Sequence, residues 1–165
     1  EHPSQALADL FAIERLCGPI ERQRIAVCGD LRSRAARSLL AALARRRPES
    51  VALVTDGSLL DGFVLPASLA PITRSVDRDG LHAATVLYAV GIPHGAAGEG
   101  VRARLRVDRR MLETMRPNAA VLSPMPIIDE IASPARRDPR MRYFEQSDLA
   151  LHVRSALLGL VVGTG

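Results

Sequence analysis

The sequence predicts an α/β domain, a doubly wound parallel sheet of four to five strands with helices on both faces. Three observations carry this. Short runs of Val, Ala and Leu recur along the chain and read as strands buried on both faces. Helical stretches with apolar residues three and four apart alternate with them. The crossovers between the early runs are long enough for parallel, right-handed connections.

Residues 1–16 open the chain with a helix. Pro3 suits the first helical turn, and Ala6, Leu7, Leu10, Phe11 and Ile13 form an apolar stripe. Gly18-Pro19 ends it. Residues 24–30, RIAVCGD, are a buried strand, followed by an Ala/Leu-rich helix over 33–46 and a second strand over 50–56. A short helix is expected within 59–64, a third strand over 72–75, a short helix over 77–84 and a fourth strand over 85–90. Four glycines and a proline in residues 91–100 predict an irregular, flexible loop. A helix over 107–115, a fifth strand over 119–122, a two-proline bend at 123–126, a polar loop over 133–142 and a final apolar helix over 147–162 complete the chain.

The composition bounds the function. The chain has 165 residues, 47% of them hydrophobic and 24% charged, which fits one domain with a real core. Aromatic residues make up 3%, too few for a base-stacking platform. The formal charge of +4 is spread among interleaved acidic residues, so nucleic-acid binding is not expected. Cys17 and Cys28 lack metal-ligand spacing and form no disulfide framework, so two buried free thiols are expected, with no metal. No apolar run is long enough to span a bilayer, and no secretory leader is recognisable. A cytoplasmic protein without membrane contact is the expectation. After the first strand stands Gly29-Asp30-Leu31-Arg32-Ser33-Arg34, which is neither GxGxxG nor a phosphate-binding P-loop.

Three segments should converge at the carboxyl ends of such strands. His2 and Gln5 lie at the start of the first helix, where free N–H groups favour anions. Arg34 and Arg37 lie in the first turn of the second helix, where cations oppose the dipole and an anionic partner would relieve them. Arg34 could take a carboxylate bidentately. The prolines of 122–131, LSPMPIIDEI, would aim backbone carbonyls in fixed directions, useful for an amine. His2, residues 30–34 and residues 123–125 should therefore lie at one edge.

Taken in order, these motifs resemble the amino-acid-binding half of an aspartate carbamoyltransferase. His2-Pro3-Ser4-Gln5 is similar to the HPTQ motif that opens the family's second domain, and ALADLFAI to the helix after it. Residues 33–38, SRAARS, resemble the family's SRVARS segment. Residues 123–131, SPMPIIDEI, resemble HPLPR-x-DEI, and Tyr143-Phe144-Glu145-Gln146 resembles YFQQ. Ornithine carbamoyltransferases share the fold, but the DEI and SRAARS elements favour the aspartate branch.

The resemblance implies an aspartate/ornithine-binding domain over residues 1–165, with the carbamoyl-phosphate domain outside it. It implies cofactor-free transfer of a carbamoyl group from carbamoyl phosphate to the amine of L-aspartate, in pyrimidine synthesis. It implies a homotrimer or larger assembly. In its terms His2 donates to the carbonyl oxygen, Gln5 holds the carbamoyl group, Arg34 takes a carboxylate, and the Pro124 and Met125 carbonyls orient the amine. This domain alone should be inactive. The chain also departs from the pattern. Gly91 and Pro93 stand where the family has Arg-x-Gln, Ser123 where it has histidine and Ile127 where it has arginine. Three readings follow: half of an active aspartate carbamoyltransferase, a degenerate non-catalytic subunit with a scaffold role, or a carbamoyltransferase for another amine.

Overall fold

The computed structural model describes residues 2–75 and 81–163. Five parallel strands, β1 (Arg24–Gly29), β2 (Ser50–Val54), β3 (Thr73–Ser75), β4 (Val86–Val90) and β5 (Ala120–Leu122), lie in the order β3-β2-β1-β4-β5. The order reverses between β1 and β4, so the crevice at their carboxyl ends is the natural ligand site of the sheet. The helices are α1 (Pro3–Cys17), α2 (Arg34–Arg46), α3 (Glu99–Leu105), α4 (Arg109–Thr114) and α5 (Tyr143–Val162).

Alternation along the strands builds two cores. Ile25, Val27, Val51, Leu53, Val86 and Tyr88 face Ile13 of α1 and Leu39, Leu40 and Leu43 of α2. Ala26, Cys28, Ala52 and Ala89 face the opposite side, against Leu105, Met111, Leu112 and Tyr143. Both sheet faces are covered, which is why the strands read as continuous apolar runs. α5 packs along α1, burying Tyr143, Gln146 and Ala150. Its last turns leave Leu158, Leu160, Val161 and Val162 exposed. No helix among the described residues is long and apolar enough to cross a membrane.

Helix ends follow local chemistry. The Ser33 hydroxyl caps α2 by accepting from the Ala36 N–H at 3.1 Å. Asp108 does the same for α4, accepting from the Met111 N–H at 2.8 Å. That cap starts α4 at Arg109, so the expected helix over 107–115 is shorter, and Val107 instead pairs with Ile131.

Other expectations need correction. The loop after β4 gives way to α3 at Glu99, and it is tied down: Ile92 is buried and its carbonyl accepts from both terminal nitrogens of Arg102, at 2.6 and 2.8 Å. A buried guanidinium needs such acceptors, so Arg102 fixes the loop that glycine content alone suggests is free. The helix expected within 59–64 is a single 3-10 turn at Gly57–Leu59, started by the Asp56 carboxylate accepting from the Ser58 N–H. The polar loop over 133–142 holds a 3-10 turn, Ser133–Arg137. α5 begins at Tyr143 because that ring belongs to the core. Cys28 is buried, but Cys17 is only half-buried. The helix expected over 77–84 lies largely outside the described residues, and residues 81–83 form a turn.

Candidate functional site

The residues expected to form a site lie along the carboxyl edge of the sheet, but not all of them line one cavity. β1 runs out through Gly29 into Asp30, whose carboxylate grips Arg32 through Nε at 2.9 Å and Nη2 at 3.0 Å. This ion pair and the Ser33 cap set the entry of α2 and present Arg34 in its first turn. Arg34 is exposed, and its side chain makes no hydrogen bond or ion pair among the described residues. The His2 N–H donates to Ser38 Oγ at 2.8 Å, which seats the start of α1 on α2. Ser38 is one helical turn beyond Arg34, on the same face. His2 and Arg34 therefore share an edge, as the sequence predicts. The His2 imidazole has no partner among the described residues.

Gln5, Ser123, Pro124, Met125 and Pro126 line one cavity of about 370 Å³, closed on its far side by Gln146 and Arg154 of α5. Arg34 is not among its walls. Met125 has φ +51°, and the Met125–Pro126 peptide is cis. The turn is pinned by Ser123, whose hydroxyl donates to Glu130 Oε1 at 3.1 Å, and by the Ile128 N–H, which donates to Glu130 Oε2 at 2.8 Å.

Asp9, Gln146 and Arg154 were not legible as site residues. Asp9 lies on α1 among core positions and is fully buried. Its carboxylate accepts from Gln5 Nε2 at 2.8 Å, Gln146 Nε2 at 2.7 Å and the Tyr88 hydroxyl at 2.6 Å. Burial raises its carboxyl above the usual range, while these three donors oppose the rise. Burial and the neighbouring Asp9 charge push the Tyr88 phenol well up, so it stays a donor. Arg154 Nη2 donates to Gln5 Oε1 at 2.8 Å. Only the acid within the apolar stripe of α1 could have signalled Asp9 in the sequence.

No family model matches the chain. Curated relatives do. The aspartate carbamoyltransferase catalytic subunit of Saccharolobus islandicus (strain L.S.2.15 / Lassen #1) is 32% identical over 175 residues, 99% of this chain and 56% of the relative. That of Thermofilum pendens is 32% identical over 180 residues, 98% of this chain and 55% of the relative. The chain belongs to the aspartate carbamoyltransferase family. It spans about half the length of these relatives and matches a carboxy-terminal half. Ligand-free aspartate transcarbamoylase from Trypanosoma cruzi superposes with a TM-score of 0.83 at 26% identity, over 96% of this chain and 55% of that one. The same enzyme in complex with carbamoyl aspartate and phosphate gives 0.82 at 27%, with the same coverage.

Against the aspartate carbamoyltransferase pattern, the departure at Gly91 has a structural counterpart. A Cβ placed there would meet Ile128 Cδ1 at 3.0 Å and Glu130 Oε2 at 3.2 Å. The space beside Gly91 is filled by the turn that follows β5, and Glu130 spends its carboxylate on Ser123 and Ile128 rather than on a guanidinium. Neither nearby arginine is idle. Arg102 holds Ile92, with its Nε 3.6 Å from Asp129, and Arg104 pairs with Asp56.

Proposed function

We propose that this chain is the aspartate-binding half of an aspartate carbamoyltransferase. In that reading it acts with a carbamoyl-phosphate half to move a carbamoyl group from carbamoyl phosphate to the amine of L-aspartate. The observation that carries the reading is a match that covers 99% of this chain and about half of the catalytic subunits, joined to a cavity walled by the Gln5 amide and the Pro124–Met125 turn. The match favours a catalytic chain over the scaffold alternative. Two of the superposed Trypanosoma cruzi structures hold aspartate with phosphate and carbamoyl phosphate with aspartate, which supports the substrate pair. A cytoplasmic homotrimer or larger assembly belongs to the same proposal. The exposed apolar end of α5 fits a chain that is covered in an assembly.

The chemistry follows from what each group has left to offer. Gln5 Nε2 has one N–H committed to Asp9, and Oε1 one lone pair committed to Arg154. One N–H and one lone pair remain, aimed by those two bonds, to hold a carbamoyl group by its oxygen and its amide hydrogens. The His2 imidazole donates to the carbamoyl oxygen as the amine adds and that oxygen becomes anionic. The Pro124 and Met125 carbonyls accept from the attacking amine, leaving its lone pair directed at the carbon. Phosphate then departs with the bonding pair, and the amine loses a proton. Arg34, unpaired and exposed, takes one aspartate carboxylate.

The second carboxylate lacks its partner. With Gly91 and Pro93 in place of the family's clamp, and Arg102 already buried against Ile92, L-aspartate should bind weakly. We expect affinity in the millimolar range or weaker by titration calorimetry of the full-length protein, loaded with a bisubstrate-like phosphonate in a parallel run. Tight binding lost on Arg102→Ala or Arg104→Ala would show that one of these arginines has taken over the clamp. Tight binding that survives both would overturn the assigned site. The same protein should form carbamoyl aspartate in a colorimetric assay, whereas residues 1–165 alone should form none, because positioning both reactants supplies much of the rate. A full-length protein with no transfer to any amine would refute the reading.

A further inference from the structure

Three elements meet at one buried carboxylate. Asp9 of α1 accepts from Gln5 on its own helix, from Tyr88 of β4 and from Gln146 of α5. The bonds continue outward. Gln146 Oε1 accepts from the Ser123 N–H at 2.9 Å, and Ser123 Oγ accepts from the Met125 N–H at 3.4 Å. Gln5 and the turn after β5 both line the cavity, and Asp9 and Gln146 link them through the protein interior.

The choice of a carboxylate has a geometric consequence. A glutamine amide can rotate by half a turn and exchange its donor and acceptor ends at little cost. An ionised carboxylate accepts and never donates, so it forces the Nε2 of both glutamines towards itself. Gln146 must then turn its oxygen to the Ser123 N–H, and Gln5 its oxygen to Arg154. One acidic group thus sets the polarity of both amides, at a burial cost that an asparagine of the same shape would avoid.

We infer that Asp9 is a positioning residue, which fixes the Gln5 amide against the Pro124 and Met125 carbonyls by orienting Gln146. The inference rests on the carbamoyl-transfer reading of this cavity. Asp9 touches no substrate. It sets the spacing and direction of the two walls between which carbamoyl carbon and amine must meet.

The test uses the full-length protein with Asp9→Asn, which keeps the volume and removes the acceptor-only character. Tyr88→Phe is the comparison, since it removes the third donor and leaves both amides on the carboxylate. Asp9→Asn should lower kcat roughly tenfold to hundredfold, as misplaced reacting groups do, with KM for aspartate changed less than about threefold. Tyr88→Phe should lower the melting temperature but keep kcat within about threefold. Amide hydrogen exchange gives a second reading. Ser123 should exchange faster in Asp9→Asn and at the wild-type rate in Tyr88→Phe. Equal kcat losses in the two variants, or an unchanged Ser123 exchange rate in Asp9→Asn, would overturn the inference. If the wild-type protein transfers no carbamoyl group, the functional reading falls, while Ser123 exchange still decides whether Asp9 holds the turn.

Discussion

Gly29→Ala is expected to destabilise the domain severely. Gly29 closes β1 with φ +118°, a backbone conformation that an L side chain rarely adopts. A Cβ at this position would lie 1.9 Å from the Val90 carbonyl oxygen and 2.9 Å from its carbon. These are backbone atoms of the neighbouring strand, in register with Gly29 itself, so no side chain can swing aside. β4 is also held on its other edge, where Val86, Leu87 and Tyr88 pair with β5. Relief would require separating β1 from β4 at the centre of the sheet, where the site is built. We expect a loss of at least ~4 kcal/mol, from backbone strain and broken ladder bonds together, against a total stability of ~5–15 kcal/mol. Urea unfolding followed by circular dichroism measures it. A variant within ~1 kcal/mol of wild type would mean that the strands do not approach this closely.

The second large effect is catalytic. His2→Ala in the full-length protein should lower kcat by roughly a hundredfold to a thousandfold, with much less effect on KM, as loss of a fixed donor to a developing oxyanion does. The backbone at this position is held independently of the ring. Its N–H donates to Ser38, and its carbonyl accepts from the Ala6 N–H at 3.0 Å. Removing the imidazole therefore leaves the helix start in place, and the change reads the ring alone. A variant with unaltered kcat would remove His2 from the chemistry and move attention to Gln5 and the turn carbonyls.

The residues proposed for the site were legible because they sit at chain landmarks. His2 and Gln5 are marked by a proline at a helix start, Arg34 by a strand ending in Gly-Asp ahead of a capped helix, and Pro124 and Met125 by a double proline after a strand. In a parallel sheet the landmarks that follow strands fall on one edge, and the cavity there takes in Gln5, Pro124 and Met125 but neither His2 nor Arg34. The behaviour of the loop after β4 was not legible in this way. Its glycines promise freedom, but Arg102, ten residues further on, buries its guanidinium against the Ile92 carbonyl.

The sequence by itself determined the alternation of strands and helices, the covering of both sheet faces and the edge at which the site forms. Each of these depends on periodicity and turn chemistry over a few residues. Only the tertiary structure decided which polar groups are spent on one another. Asp9 meets Tyr88 and Gln146 across 79 and 137 positions of chain, and Glu130 fills the space beside Gly91 from a different strand's loop. Such pairings depend on burial and on donor geometry between distant segments. A local pattern carries no record of either.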